Sequence, residues 1–175
     1  MEDAISGWPD HNSDRLPTIW FEDLAVGQVE RFGNKLVERQ EVIAFASAYD
    51  PQPFHLDDAA AAANPLFGRL AASGWHTAGM AMRMNADFWR ERGYAILIGL
   101  EVREMRWLRP VYPGDILRCE EEVIETRLSR SQADRGIASM RLTVLNQHEE
   151  PVMSRLSSML MCRNPEAASA QQSQL

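Results

Sequence analysis

Apolar and polar positions change their period twice along this chain. Phe21 to Val37 is weakly strand-like, a Val26-Gly27 turn leading into Val29, Phe32 and Leu36 among polar neighbours. Gln40 to Tyr49 switches to a helical period. Val42, Phe45, Ala46 and Tyr49 fall at i, i+3, i+4 and i+7, one stripe of an amphipathic helix that Asp50-Pro51 ends. A short helix follows over Ala59 to Ala63, with Asp57 as its N-cap and Asn64-Pro65 as its stop.

Leu70 to Gly93 is the longest helical segment, with Ser73 placed to cap its start and Gly93 to stop it. As far as Met82 it is nearly free of polar side chains, the mark of a helix enclosed by other structure. Beyond Gly93 the period becomes two. Ile96, Ile98, Leu100 and Val102 alternate, Pro113-Gly114 reads as a type II turn, and 115–128, 137–147 and 152–162 follow as long strands. The turns between them are short, which makes neighbours antiparallel. A strand, a set of helices with one buried, then a run of antiparallel strands predicts an α+β domain with a curled sheet around one helix.

The length of 175 residues suits one such domain over 18–163, with a flexible N-terminal arm at 1–17 and a flexible tail at 164–175. His11 in the arm and His148 in a turn read as solvent residues. An apolar fraction of 45% allows a substantial core. Cys119 and Cys162 lie in strands without metal-ligand spacing, so they read as buried thiols in a reducing compartment. Without a signal peptide or a run of about 18 apolar residues, the expectation is a cytoplasmic protein that does not span a membrane. The net charge of −7 argues against nucleic acid as a partner. From Arg69 to Pro110, however, seven Arg stand against four acids. That stretch reads either as a solvated face or as a docking edge for an anionic small molecule.

The candidate chemistry lies in Tyr49-Asp50-Pro51-Gln52-Pro53-Phe54-His55-Leu56-Asp57. Asp50 and His55 are five residues apart, roughly 17 Å if extended, so they meet only where the chain turns sharply. Pro51 and Pro53 stiffen the segment, and Asp-Pro favours a type I turn at its start. A carboxylate and an imidazole brought together can share a water or a proton. Asp57 reads as a cap rather than a reacting group. His76 reads as a hydrogen-bonded core histidine. One imidazole without a second His or Cys is a poor metal set, so no metal is expected.

Asp50-x-x-Pro53-x-His55-x-Asp57, then Phe67, Ser73-Gly74 opening a long helix, and Pro110-Val111-x-Pro113-Gly114-Asp115 resemble the MaoC-like dehydratases, a hotdog-fold family that includes the (R)-specific enoyl-CoA hydratases. The resemblance covers about residues 20–163 of the sequence. It implies a hydro-lyase acting on an α,β-unsaturated or 3-hydroxyacyl thioester, with Asp50 and His55 as the catalytic pair and the Gly74 backbone N–H as oxyanion donor. Phe54, Ser73 and Trp75 are the expected substrate contacts. The chain departs from many family members at Gln52 (often Asn), Ser73 (often His) and Met82 (Ser in some hydratases). The partners implied are an acyl-CoA or acyl-carrier thioester and a second copy of the chain, with no cofactor beyond the substrate itself. A hotdog thioesterase and a non-catalytic acyl-thioester-binding module are the rival readings.

Overall fold

The computed structural model describes residues 17–172; most of the N-terminal arm and the end of the tail lie outside them, His11 included. A 3-10 turn at Phe21–Asp23 leads into β1 (Val29–Leu36). Four helices follow: α1 (Arg39–Tyr49), α2 (Pro53–Leu56), α3 (Asp58–Ala63) and α4 (Gly74–Arg92). The chain then runs through β2 (Ile96–Trp107), β3 (Ile116–Leu128), β4 (Arg135–Leu145) and β5 (Pro151–Cys162). Where a flexible tail is expected, Pro165–Gln172 forms a further helix, α5. Its N–H groups start on Asn164, whose side chain accepts from Glu166 N–H at 3.0 Å.

The five strands form one antiparallel sheet in the order β1-β3-β4-β5-β2. The strands nearest in sequence to the helices, β1 and β2, therefore lie at opposite edges, and the helices cross the sheet between them. Register shifts interrupt β1, β2 and β3, and such bulges bend strands. The inner face alternates as period two requires: Leu117 and Cys119 on β3, Met140, Leu142 and Val144 on β4, and Met153, Met159 and Met161 on β5 are buried. Met80, Ala81 and Met84 of α4 pack into that face. Each of these methionine, leucine and valine side chains contributes about 1.5–3 kcal/mol by leaving water.

The two ends of α4 follow their capping residues. Ser73 Oγ accepts from Trp75 N–H at 3.2 Å, and Gly93 ends the helix in the left-handed region at φ +74°. Its enclosure is only half what the composition predicts. His76, Thr77, Met80, Ala81, Met84 and Asn85 are buried, but Trp75 and Met82 are 60% and 41% exposed on the opposite flank. The sheet curls round one side of the helix, and no described element of this chain covers the other. Edge strand β2 carries Ile98, Leu100 and Val102 exposed beside that flank.

Helix α1 buries Val42 and Ala46 as its stripe predicts, whereas Tyr49 is exposed because the last turn projects past the core. Cys119 is fully buried and its thiol is pushed up to about 12 by burial; Cys162 is half-buried and also free. His148 is exposed in the β4–β5 turn.

Candidate active site

Asp50 is the C-cap of α1, its N–H bonded to Ala46 O at 2.9 Å. The chain then turns more tightly than a type I turn. Gln52 N–H reaches back to Asp50 O at 2.7 Å, a three-residue turn centred on Pro51. Pro53 occupies the first turn of α2, where its missing N–H costs nothing. His55 N–H bonds to Gln52 O at 2.9 Å. This one helical turn swings His55 back over Asp50, so that His55 Nε2 stands 3.6 Å from Asp50 Oδ2.

Both groups are held from behind. His55 Nδ1 lies 2.8 Å from Ala71 O, and a carbonyl only accepts, so Nδ1 carries the proton. In the neutral ring Nε2 is then an acceptor that faces the carboxylate. Ser73 Oγ donates to Asp50 Oδ2 at 2.6 Å. The strand-like segment that carries Ala71 and Ser73 is fixed in turn: Ala72 N–H bonds to Val111 O at 2.8 Å, which is the structural use of Pro110-Val111. Tyr112 closes the adjoining turn, its carbonyl accepting from Asp115 N–H at 3.0 Å, with Pro113 and Gly114 (φ +95°) between them.

Gly74 is the first residue of α4, and its N–H has no acceptor among the described residues. A Cβ on Gly74 would stand 2.6 Å from Trp107 Nε1, so only glycine lets the indole pack this close. A cavity of about 490 Å³ opens here, lined by Asp50, His55, Phe67, Gly74, Trp75 and Trp107 among others. Trp75 and Trp107 meet edge to face at 5.3 Å on its wall.

Of the three expected substrate contacts, Trp75 alone lines the cavity. Ser73 is fully buried and its hydroxyl is engaged with Asp50 and the helix cap. Phe54 stands behind the lining, stacked on Phe67 at 4.9 Å and edge-on to His55 at 4.6 Å. Trp107 and Arg109 are lining residues that alternation alone did not single out, because a bulged edge strand brings them to the helix start. Asp57 caps α3, accepting from Ala60 N–H at 2.9 Å.

His76 is buried and stacked on Phe45 at 4.8 Å, away from the cavity. It is a core residue, but its Nδ1 lacks the hydrogen bond expected of one, and burial lowers its pKa below the usual imidazole value. The arginine-rich stretch does not form one docking edge: Arg83 and Arg90 pair with Asp87, Arg92 with Glu30 and Arg103 with Glu101. Arg109 lines the cavity with its guanidinium donating to Pro151 O at 2.8 Å and 3.7 Å from Glu150, and Arg69 stacks over Tyr112 at 3.9 Å. Among the described residues no group of three His, Cys, Asp or Glu is placed to hold a metal ion, and no helix is long and apolar enough to cross a membrane.

The model of the MaoC-like domain family matches residues 23–145. A MaoC-like dehydratase from Rhodospirillum rubrum superposes with a TM-score of 0.75 at 38% identity, over 84% of this chain and 99% of that one. The R-hydratase PhaJ1 from Pseudomonas aeruginosa gives a TM-score of 0.64 at 26% identity, over 83% and 87%. An uncharacterized protein of Bacillus subtilis (strain 168), YdeM, is 30% identical over 81% of this chain and 98% of its own. With a five-stranded sheet curled on one long helix, the chain belongs to the MaoC-like dehydratase family and has its hotdog fold.

Proposed function

We propose that this protein is a hydro-lyase that adds water across the double bond of an enoyl thioester, as an (R)-specific enoyl-CoA hydratase, or removes it in reverse. The observation that carries the proposal is the facing of two acceptors, His55 Nε2 and Asp50 Oδ2, at 3.6 Å beside the unpaired Gly74 N–H. Two acceptors at that separation have no proton to share directly, and one water donating to both resolves the conflict. Its oxygen lone pair is then left for the β-carbon of the substrate.

In the addition, the thioester oxygen sits at Gly74 N–H and the positive end of the α4 dipole. Water oxygen bonds to the β-carbon while one of its protons passes to the pair, and charge moves to the thioester oxygen as an enolate. The pair then returns a proton to the α-carbon, so that H and OH are added in total and neither side chain is consumed. Trp75 and Trp107, 60% and 46% exposed in this chain, give the thioester an apolar wall that a second copy would close off from water, strengthening each donor in the site. Arg109 at the lining is already held by Pro151 O and Glu150, and its remaining N–H donors suit the anionic carrier of an acyl-CoA. A second copy of the chain is the expected cover for Trp75, Met82 and the open β2 edge.

Enoyl-CoA substrates test the reading. Hydration removes the enoyl-thioester ultraviolet absorbance without freeing a thiol. A thioesterase releases a thiol that a thiol reagent detects, and that outcome, or neither signal with a ligand-dependent melting shift, overturns the hydratase reading.

A further inference from the structure

A second cavity, about 270 Å³, lies between α4 and the β2–β5 side of the sheet. Most of its wall is apolar, from Met82, Trp89, Ile96, Val102 and Met159. Its floor is not. Arg155 and Ser157 point inward two residues apart on β5, and both are more than nine-tenths buried, at 9% and 6% exposure. Arg155 Nε and Ser157 Oγ have no hydrogen-bond partner. The guanidinium's contact is Nη2 to Met82 Sδ at 4.0 Å, a weak acceptor, and among the described residues it forms no ion pair.

The carboxylates nearby do not meet this need. Glu121, across the inner face on β3, is close enough for its charge to act on Arg155 but not to form an ion pair with it, and its two oxygens accept from Asn85 Nδ2 at 2.8 Å and Trp89 Nε1 at 2.9 Å. Glu101 at the rim is paired with Arg103 at 3.0 Å. A buried guanidinium whose Nε lacks an acceptor is costly to keep, which points to an acceptor arriving from elsewhere. An apolar sleeve with one convergent cation at its end describes a ligand with an apolar stem and an anionic tip.

The second cavity flanks the same helix and the same edge strand as the first. Trp75 of the first cavity and Met82 of the second share one flank of α4, seven residues apart, or about 10 Å of helix rise. Between them is Gly79, where an added Cβ would meet nothing within 4 Å. On the sheet side, β2 contributes Trp107 to the first cavity and Val102 to the second.

We infer that Arg155 and Ser157 bind a carboxylate at the far end of the acyl chain, so that the preferred substrate is the thioester of a dicarboxylic acid. This rests on the enoyl-thioester reading above. A bidentate guanidinium–carboxylate pair, backed by the serine hydroxyl, satisfies both orphaned groups at once. No bond is made or broken there; the pair sets which chain enters.

The test compares octenoyl-CoA with its ω-carboxy counterpart of the same length. Wild-type kcat/KM favours the carboxylated substrate by about tenfold or more, and Arg155→Met cuts that ratio by about 10–100-fold, the value of a charged hydrogen bond. Arg155→Lys recovers part of it, since a point charge lacks the fork. Ser157→Ala lowers the ratio several-fold and keeps the experiment readable if Arg155→Met fails to fold. A wild-type ratio near one, or a ratio unmoved in Arg155→Met, overturns the inference. So does an unmoved ratio with weakened self-association in sedimentation, which assigns the guanidinium to a contact between copies. If neither thioester is hydrated, the melting shift given by saturated octanedioyl-CoA decides separately. A shift lost in Arg155→Met supports the anion site without the hydratase, and no shift in wild type removes it.

Discussion

Ser73 Oγ donates to Asp50 Oδ2 at 2.6 Å and at the same time accepts from Trp75 N–H at 3.2 Å. One hydroxyl thus sets the orientation of the carboxylate and the first turn of the helix whose free N–H faces the same cavity. The position therefore bears on the site through Asp50 and the start of α4.

Ser73→Ala removes both bonds. Loss of the cap costs about 1 kcal/mol of stability, within the range for such residues. Turnover falls by about 10–100-fold with KM little changed, since a misplaced general base lowers kcat first. Ser73→Thr restores part of the rate, as its hydroxyl can make the same two bonds. Steady-state kinetics and a melting curve on the three proteins check this. A fall in stability with kcat intact would reduce Ser73 to a helix cap.

Two glycines of α4 answer to the same substitution in opposite ways. Gly74→Ala drives a methyl group against Trp107, 2.6 Å from Nε1, so the indole shifts or the helix start moves. The strain costs about 1–3 kcal/mol, and kcat/KM falls because Trp107 lines the cavity. Gly79→Ala meets nothing within 4 Å and stabilises by about 1 kcal/mol through helix propensity. Paired denaturant titrations give the comparison directly.

His76 supplies a pH signature. Burial lowers its pKa, so from the ordinary imidazole value of about 6.5 downward the unfolded chain binds more protons than the folded one. Stability therefore falls as pH drops below 6.5 toward the depressed folded value. His76→Phe keeps the stack on Phe45 and deletes the titrating ring, so its stability advantage over wild type grows on acidification in that window. The raised pKa of Glu121 works in the opposite direction, and the comparison cancels it because both proteins carry it. Turnover at neutral pH should be retained. A large loss of rate in a folded His76→Phe protein would place this ring in the mechanism.

The local code made most of the fold legible. Ser73 and Gly93 bound α4, Asp57 caps α3, and period-two alternation marks β3, β4 and β5, because caps and alternation are written within a few residues. What the sequence left open depends on partners distant in the chain. That Ser73 gives its hydroxyl to Asp50 depends on a partner 23 residues earlier in the chain. Trp107 looks like the end of a strand until Gly74 is found against its ring. The open flank of α4 was hidden because hydrophobicity says a face leaves water without saying which chain covers it. Arg155 and Ser157 read as ordinary polar positions on β5. Only burial shows that Arg155 Nε and Ser157 Oγ lack a hydrogen-bond partner.

A double-substitution cycle on Asp50 and His55 tests most directly that they hold one water. Asp50→Asn and His55→Ala each lower the turnover of an enoyl thioester by about 10²–10⁴, as for general acid–base groups. If both serve the same water, the double variant loses little beyond the worse single one, because groups acting as a unit are not additive. Losses that multiply in the double variant, or a folded single variant with full activity, would contradict the account.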